Sequence, residues 1–163
     1  MTDLTLHEKF MKMAIKEGIN ARLEGEVPVG AVITTHDHEP ICTAHNRTIG
    51  LSDPTAHAEI LALRKAGALL DNYRLLNTIL YVTIEPCAMC VTAAIHARVD
   101  CIVFGAADPK WGACGSVYDL VSDNKFNHRL QAIGGVCEEA CRDMIVSFFR
   151  QKRVQGKKGP QDA

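Results

Sequence analysis

Apolar residues between positions 5 and 24 recur three or four apart, with Leu6, Phe10, Met13 and Ala14 on one face. That spacing predicts an amphipathic helix, which "EGEVPVG" breaks. The period then changes. "GAVITT" (30–35) and "PICTAHN" (40–46) are short β-rich runs, and the polar "HDHE" between them predicts a hairpin. Asp53 and Pro54 offer an acid at a cap and a proline at the first helical position, so a helix is expected from there to about Ala68. "NTILYVTI" (77–84) is almost continuously apolar, as a strand buried on both faces should be. Pro86 opens a further helix to about Ala97, and "DCIVFGA" (100–106) reads as the next buried strand. A glycine-rich loop, "DPKWGACGS", follows and is expected to carry function. "NHRLQAIGG" (127–135) can supply a short last strand. The final helix should start near Val136, with Ala140, Met144 and Phe148 at core spacing.

Helices alternating with buried strands predict a three-layer α/β/α sandwich around one mixed, five-stranded sheet. The unit 77–106 implies a parallel strand pair, because its crossover is a helix. A single domain is expected over 1–153, with residues 154–163 as a basic, disordered tail.

Composition changes this picture little. The chain has 163 residues, 47% of them apolar, which suits one core of normal size. Its net charge of −1 neither implies nor excludes a nucleic-acid partner, since a local patch suffices. No apolar run reaches membrane-spanning length and the polar start lacks a signal-peptide core, so a cytoplasmic protein without a membrane partner is expected. Seven cysteines, an odd number, then argue against a disulfide framework and for buried thiols or ligands.

Candidate chemistry lies in "TAHAEILALRKAG" (55–67) and "TIEPCAMC" (83–90). Cys87 and Cys90 are i,i+3 at the start of a helix, where free amides and the dipole favour thiolates. Alone they could equally be buried thiols or a redox pair. His57 and Glu59 are two apart, about 200° around a regular helix, and could serve one site only from a first turn aimed at the target. Each alone has an ordinary explanation as a cap or a dipole-complementary acid. Together, one His and two Cys are three zinc ligands with the fourth position open, the arrangement of a catalytic site. Zinc lowers the pKa of bound water to roughly 7 and so furnishes hydroxide, and Glu59 is a non-ligand carboxylate able to shuttle the proton. H-x-E followed by P-C-x-x-C is the signature of zinc nucleobase deaminases.

Further stretches sharpen the likeness. "EVPVGAV", "HNRTIG", "DPTAHAEILALR", "NYRL", "LYVTIEPCAMC", "AIHARV", "VFGAADPKWGACGS", "FNHRL" and "FFRQKR" resemble the bacterial tRNA-specific adenosine deaminases, within the cytidine/deoxycytidylate deaminase superfamily, from about residue 8 to 153. The resemblance implies a homodimer, one zinc per subunit, and hydrolytic deamination of adenosine to inosine at the wobble position of a tRNA anticodon, usually in an arginine tRNA. It implies that His57, Cys87 and Cys90 bind zinc and that Glu59 shuttles protons. It also implies that Asn46 hydrogen-bonds the flipped base, that the Ala58 N–H helps orient it, and that Asp108 contacts a neighbouring ribose.

An amide such as Asn46 suits adenine because it offers a donor and an acceptor, although its position also fits a turn residue. Phe149 beside Arg150, Lys152 and Arg153 can stack a base and neutralise phosphate, and His128 and Arg129 are candidates for the same contact; charged helix ends are also commonly just solvated. Trp111 departs from the small or polar residue the resemblance leads one to expect. Two rivals remain: a free-base deaminase for guanine, cytosine or a pterin on the same fold, and a non-catalytic zinc module binding RNA or protein. A closed pocket would favour the first, while Glu59 beside an open metal position argues against the second.

Overall fold

The computed structural model describes residues 3–157. Its elements are helix α1 (Asp3–Leu23), strands β1 (Gly30–Thr35) and β2 (Pro40–His45), helix α2 (Ala58–Leu70), strand β3 (Thr78–Ile84), helix α3 (Ala88–His96), strands β4 (Cys101–Ala106) and β5 (Gln131–Ile133), and helix α4 (Glu138–Lys157). The strands form one mixed sheet in the order β2-β1-β3-β4-β5. β1 is antiparallel to both β2 and β3, whereas β3–β4 and β4–β5 are parallel.

The continuous apolar runs of β3 and β4 are explained by cores on both faces. Leu80, Val82, Ile102 and Phe104 point to α2 and α3, where they meet Ala58, Ala62, Leu63, Val91, Ala94 and Ile95. Their neighbours Ile79, Tyr81, Cys101 and Val103 point the other way, into a second core with Phe10, Met11 and Ala14 of α1 and Cys141 of α4. Each large apolar side chain so buried contributes about 1.5–3 kcal/mol. α1 lies directly on β1 because Gly30 has no side chain: a Cβ there would run into the Ala14 carbonyl and the Gly18 amide.

Two boundaries and one helix face differ from expectation. α2 starts at Ala58, not at Pro54. The Asp53 carboxylate is taken up locally, accepting from the Thr55 N–H at 2.8 Å and the Thr55 hydroxyl at 2.7 Å, so it closes a turn and caps no helix. On α4 the inward stripe is Cys141, Met144 and Phe148, while Ala140 is exposed. α4 also runs on to Lys157, so the first residues of the expected disordered tail are helical; residues 158–163 lie outside the described residues.

The topology sets the place of the site. The carboxyl ends of parallel β3 and β4 lead into Glu85-Pro86-Cys87 and into the loop after Ala106. Antiparallel β1 begins at that same sheet end, with Gly30 opposite His45 and next to Asn46. Ligand sites of open α/β sheets lie outside the carboxyl ends of strands, and Asn46, His57, Cys87 and Asp108 collect there. His128 and Arg129 do not join them: they precede β5 at the opposite end of the sheet, beside Val99 at the amino end of β4.

Candidate active site

His57 is the N-cap of α2 and Cys87 the N-cap of α3. Both have extended backbones (φ −69°, ψ 152° and φ −74°, ψ 172°), and neither side chain caps its own helix. Both are therefore free to face one another. The apparent conflict between His57 and Glu59 disappears, because the histidine stands just outside the helix and the glutamate in its first turn. Cys90, fully buried, is the third residue of α3.

The donor atoms of His57, Cys87 and Cys90 all lie within 4.8 Å of one another. The His57 Nδ1 stands 3.7 Å from the Cys87 Sγ and 3.5 Å from the Cys90 Sγ. Two such donors on one tetrahedral zinc stand about 3.5 Å apart, given Zn–N of about 2.0 Å and Zn–S of about 2.3 Å. The spacing fits a single shared ion. The amino ends of α2 and α3 also aim unpaired amides at this point, which favours thiolates.

Charge is unevenly distributed among the donors. Cys87 is lowered to about 4, chiefly by a hydrogen bond from Cys90, with burial opposing and His57 assisting. Cys90 is pushed far up, first as the partner in that bond and then by burial. His57 is raised by its hydrogen bond to Cys87, against burial. A dication changes this order, because binding drives both thiols to ionise. Glu59, only 3% exposed, has its carboxyl raised above the ordinary carboxylate value by burial.

Asn46 is buried just beyond β2, with its N–H on the Val29 carbonyl at 3.0 Å. The Arg47 N–H donates to the Ala56 carbonyl at 3.0 Å, which draws the Asn46 segment alongside the His57 segment. Ala58 is the first residue of α2, so its amide is among those that a helix start leaves unpaired.

Asp108 is half-buried in the loop after β4, where its Oδ1 accepts from the Lys110 N–H at 2.9 Å and the Trp111 N–H at 3.2 Å. Trp111 itself is 66% exposed. Phe149 and Arg153 line an open groove of about 490 Å³ with Lys110, Ile145, Val146 and Lys152. Arg150 and Arg129 are exposed, whereas His128 uses its Nε2 on the Val99 carbonyl at 2.7 Å. That bond ties His128 to the fold and leaves Arg129 the freer of the two.

Two buried carboxylates were not read from the sequence. Glu26 accepts from the Gly50 N–H at 2.6 Å and the Ile49 N–H at 3.2 Å, which shapes the loop after Asn46. Glu85 takes donors from the loop after β4. The only local signal at Glu85 is an acid wedged between an apolar strand and a proline. Its partners are 23 to 31 residues away.

The fold and this donor set define a zinc-dependent deaminase. The profile of the cytidine and deoxycytidylate deaminase zinc-binding region matches residues 4–106. The chain is 45% identical over 150 residues to the tRNA-specific adenosine deaminase of Haemophilus influenzae, covering 92% of this chain and 87% of that one. A structure solved in a study of A-to-I editing by tRNA:A34 deaminases matches with a TM-score of 0.80 and 39% identity, over 83% of this chain and 98% of that one. The guanine deaminase from Bacillus subtilis matches less fully, with a TM-score of 0.60 and 36% identity, over 69% of this chain and 71% of that one. The chain therefore belongs to the cytidine and deoxycytidylate deaminase family, among its tRNA-specific adenosine deaminases.

Proposed function

We propose that the protein converts adenosine to inosine at the wobble position of a tRNA anticodon, an arginine tRNA being the expected species. His57, Cys87 and Cys90 hold one zinc ion, whose Lewis acidity when bound makes water a competent nucleophile near neutral pH. The reaction adds water at C6, breaks the C6–N bond and releases ammonia. Glu59 takes a proton from the attacking water and gives it to N1 of the purine, then takes the proton of the new C6 hydroxyl and passes it to the departing amine. Its burial suits both roles, since a carboxyl raised by desolvation accepts and returns protons at modest cost. Asn46 and the Ala58 amide orient the base, and Asp108 meets the neighbouring ribose.

The observation that carries RNA over a free base is the groove on α4. It is open, apolar at Ile145, Val146 and Phe149, and edged by Lys110, Lys152 and Arg153. A stacking surface beside cations suits a single-stranded loop with its bases splayed out. A closed pocket for a free base gains nothing from it. The full-length likeness to a tRNA-specific adenosine deaminase supports the same reading.

The test is an anticodon stem-loop with adenosine at the wobble position, run beside guanine, cytosine and adenosine. Inosine formed in the RNA alone is the expected outcome. Turnover of guanine with inert RNA would establish the free-base reading, and zinc retained with no turnover would establish a binding module.

The homodimer belongs to the same proposal. An open surface between α2 and α3 is lined by Ile60, Leu63, Tyr73 and Ala93, and nearby Leu69, Leu70 and Leu76 are exposed. Apolar area of this kind suits a second copy of the chain. Sedimentation should give twice the monomer mass. Among the described residues no helix is long and apolar enough to cross a membrane. A tRNA substrate supports a cytoplasmic location.

A further inference from the structure

The geometry points to Glu85 as a positioning residue that bolts the loop after β4 to the turn carrying Cys87, and thereby holds Asp108, Lys110 and Trp111 toward the RNA. This role rests on the tRNA reading above.

Glu85 is 2% exposed and follows β3 directly, two residues before Cys87. Its own N–H donates to the Ala106 carbonyl at 2.8 Å, which fixes it against the end of β4. Its carboxylate then accepts from the Asp108 N–H at 3.0 Å, the Cys114 N–H at 2.9 Å, the Ser116 N–H at 3.1 Å and the Ser116 hydroxyl. All four donors come from one loop. The Ala113 N–H adds a bond to the Pro86 carbonyl at 2.8 Å. Gly112 permits this close docking, because a Cβ there would run into the Glu85 carboxyl and the Asp108 carbonyl oxygen.

Apart from Glu85, the loop is held by its own backbone bonds among Asp108, Gly112, Ala113, Tyr118 and Leu120 and by Ala113 in the core. Pro109, Lys110, Trp111 and the stretch from Gly115 to Asp119 are exposed, and only Gly112 and Ala113 are buried. The carboxylate adds a buried side-chain anchor that donors from both arms of the loop share. Its two oxygens accept from donors spread from Asp108 to Ser116, and the Asp108 side chain then turns the apex by accepting from Lys110 and Trp111. Position passes from the zinc-ligand turn through Glu85 to Asp108, and from Asp108 to the exposed apex.

Glutamine keeps the size of Glu85 but replaces one acceptor oxygen with an NH2 that faces donors. Part of the loop must then let go, and a displacement of about 1 Å can cost on the order of a hundredfold in rate. The experiment measures Glu85→Gln, Asp108→Ala and their double variant on the wobble-adenosine stem-loop, with zinc content, melting temperature and amide exchange followed in parallel. Glu85→Gln is expected to keep one zinc per chain and to raise KM more than it lowers kcat, with kcat/KM down about tenfold to a hundredfold. Exchange in the 106–117 segment should speed up, while α2 and α3 stay protected. The double variant should be little worse than the more damaged single variant, because both changes act through one loop. Ser116→Ala, which removes one donor of the four, should shift KM and loop exchange in the same direction by less.

Additive losses in the double variant would overturn the role, as would a Glu85→Gln protein that loses its zinc or unfolds. Unmoved loop exchange in both Glu85→Gln and Ser116→Ala would overturn it as well. A wild-type protein that deaminates guanine and leaves the stem-loop untouched would overturn the tRNA reading and this role with it. Wild-type turnover of the RNA with additive variants would remove the role alone.

Discussion

Replacing Glu59 with glutamine separates proton transfer from everything else the site does. The side chain is 3% exposed and sits in the first turn of α2, and burial already disfavours its charged form. An amide of the same shape therefore removes a group that resists ionisation in place, and the fold should not suffer. The melting temperature should move by no more than about 4 °C, the equivalent of roughly 1 kcal/mol in a domain of this size. Zinc should stay, because its three donors are His57, Cys87 and Cys90. Catalysis should not survive. A positioned acid or base contributes roughly 10²–10⁴-fold, and the proposed mechanism uses Glu59 when water adds and again when ammonia leaves. The upper end applies, a fall of about 10⁴ in the single-turnover rate, or about 5 kcal/mol of barrier. The assay is inosine formation in the stem-loop under single-turnover conditions, with zinc measured on the same sample. A zinc-replete Glu59→Gln protein within tenfold of the wild-type rate would refute the proton-shuttle reasoning.

Cys87→Ala should lose zinc and melt at a lower temperature, because it removes a ligand and strands two others around a weakened site; elemental analysis finding one zinc per chain would count against the donor set. Changing Arg150 and Arg153 together to alanine should weaken stem-loop binding and flatten its salt dependence by up to about 1.4 in the log–log slope if both meet phosphate, and an unchanged slope in titrations at several salt concentrations would return them to the solvated surface. Tyr81 is fully buried, with its hydroxyl 3.0 Å from the His7 Nδ1, and burial pushes its phenol up to about 12. The folded chain thus keeps a proton that the unfolded chain gives up near pH 10, so this stability is intact below about pH 10 and is lost as pH rises toward 12. Melting curves from pH 9 to 12 should fall less steeply for Tyr81→Phe than for the wild type, and identical slopes would refute the assignment.

The parts of this molecule legible in the sequence are those whose cause is local or repeats along the chain. β3 and β4 stand out because both their faces are buried, which leaves no polar alternation to blur them. The metal donors stand out through residue type and spacing. The α2 boundary misled because Asp53 and Thr55 satisfy one another in a turn that resembles a helix start. The α4 stripe slipped by one position because Ala140 and Cys141 are both small enough for either place, and only the packing against the sheet chooses Cys141.

A helix start is ordinarily marked by a side chain that bonds back to its own first turn, which contributes about 1 kcal/mol. His57 and Cys87 occupy that position and withhold the bond. The residues that make the site are thus the ones that blur the local signal for the element presenting them. Glu85 and Glu26 lie one step further out of reach: each is a buried acid whose partners come from loops 22 to 31 residues away, and no window of sequence holds both ends of such a bond. What a sequence shows least is the shell that aims a site. Here that shell includes two carboxylates, one beneath the loop after Asn46 and one beneath the loop of Asp108, so two loops flanking the candidate site are held from below by the same device.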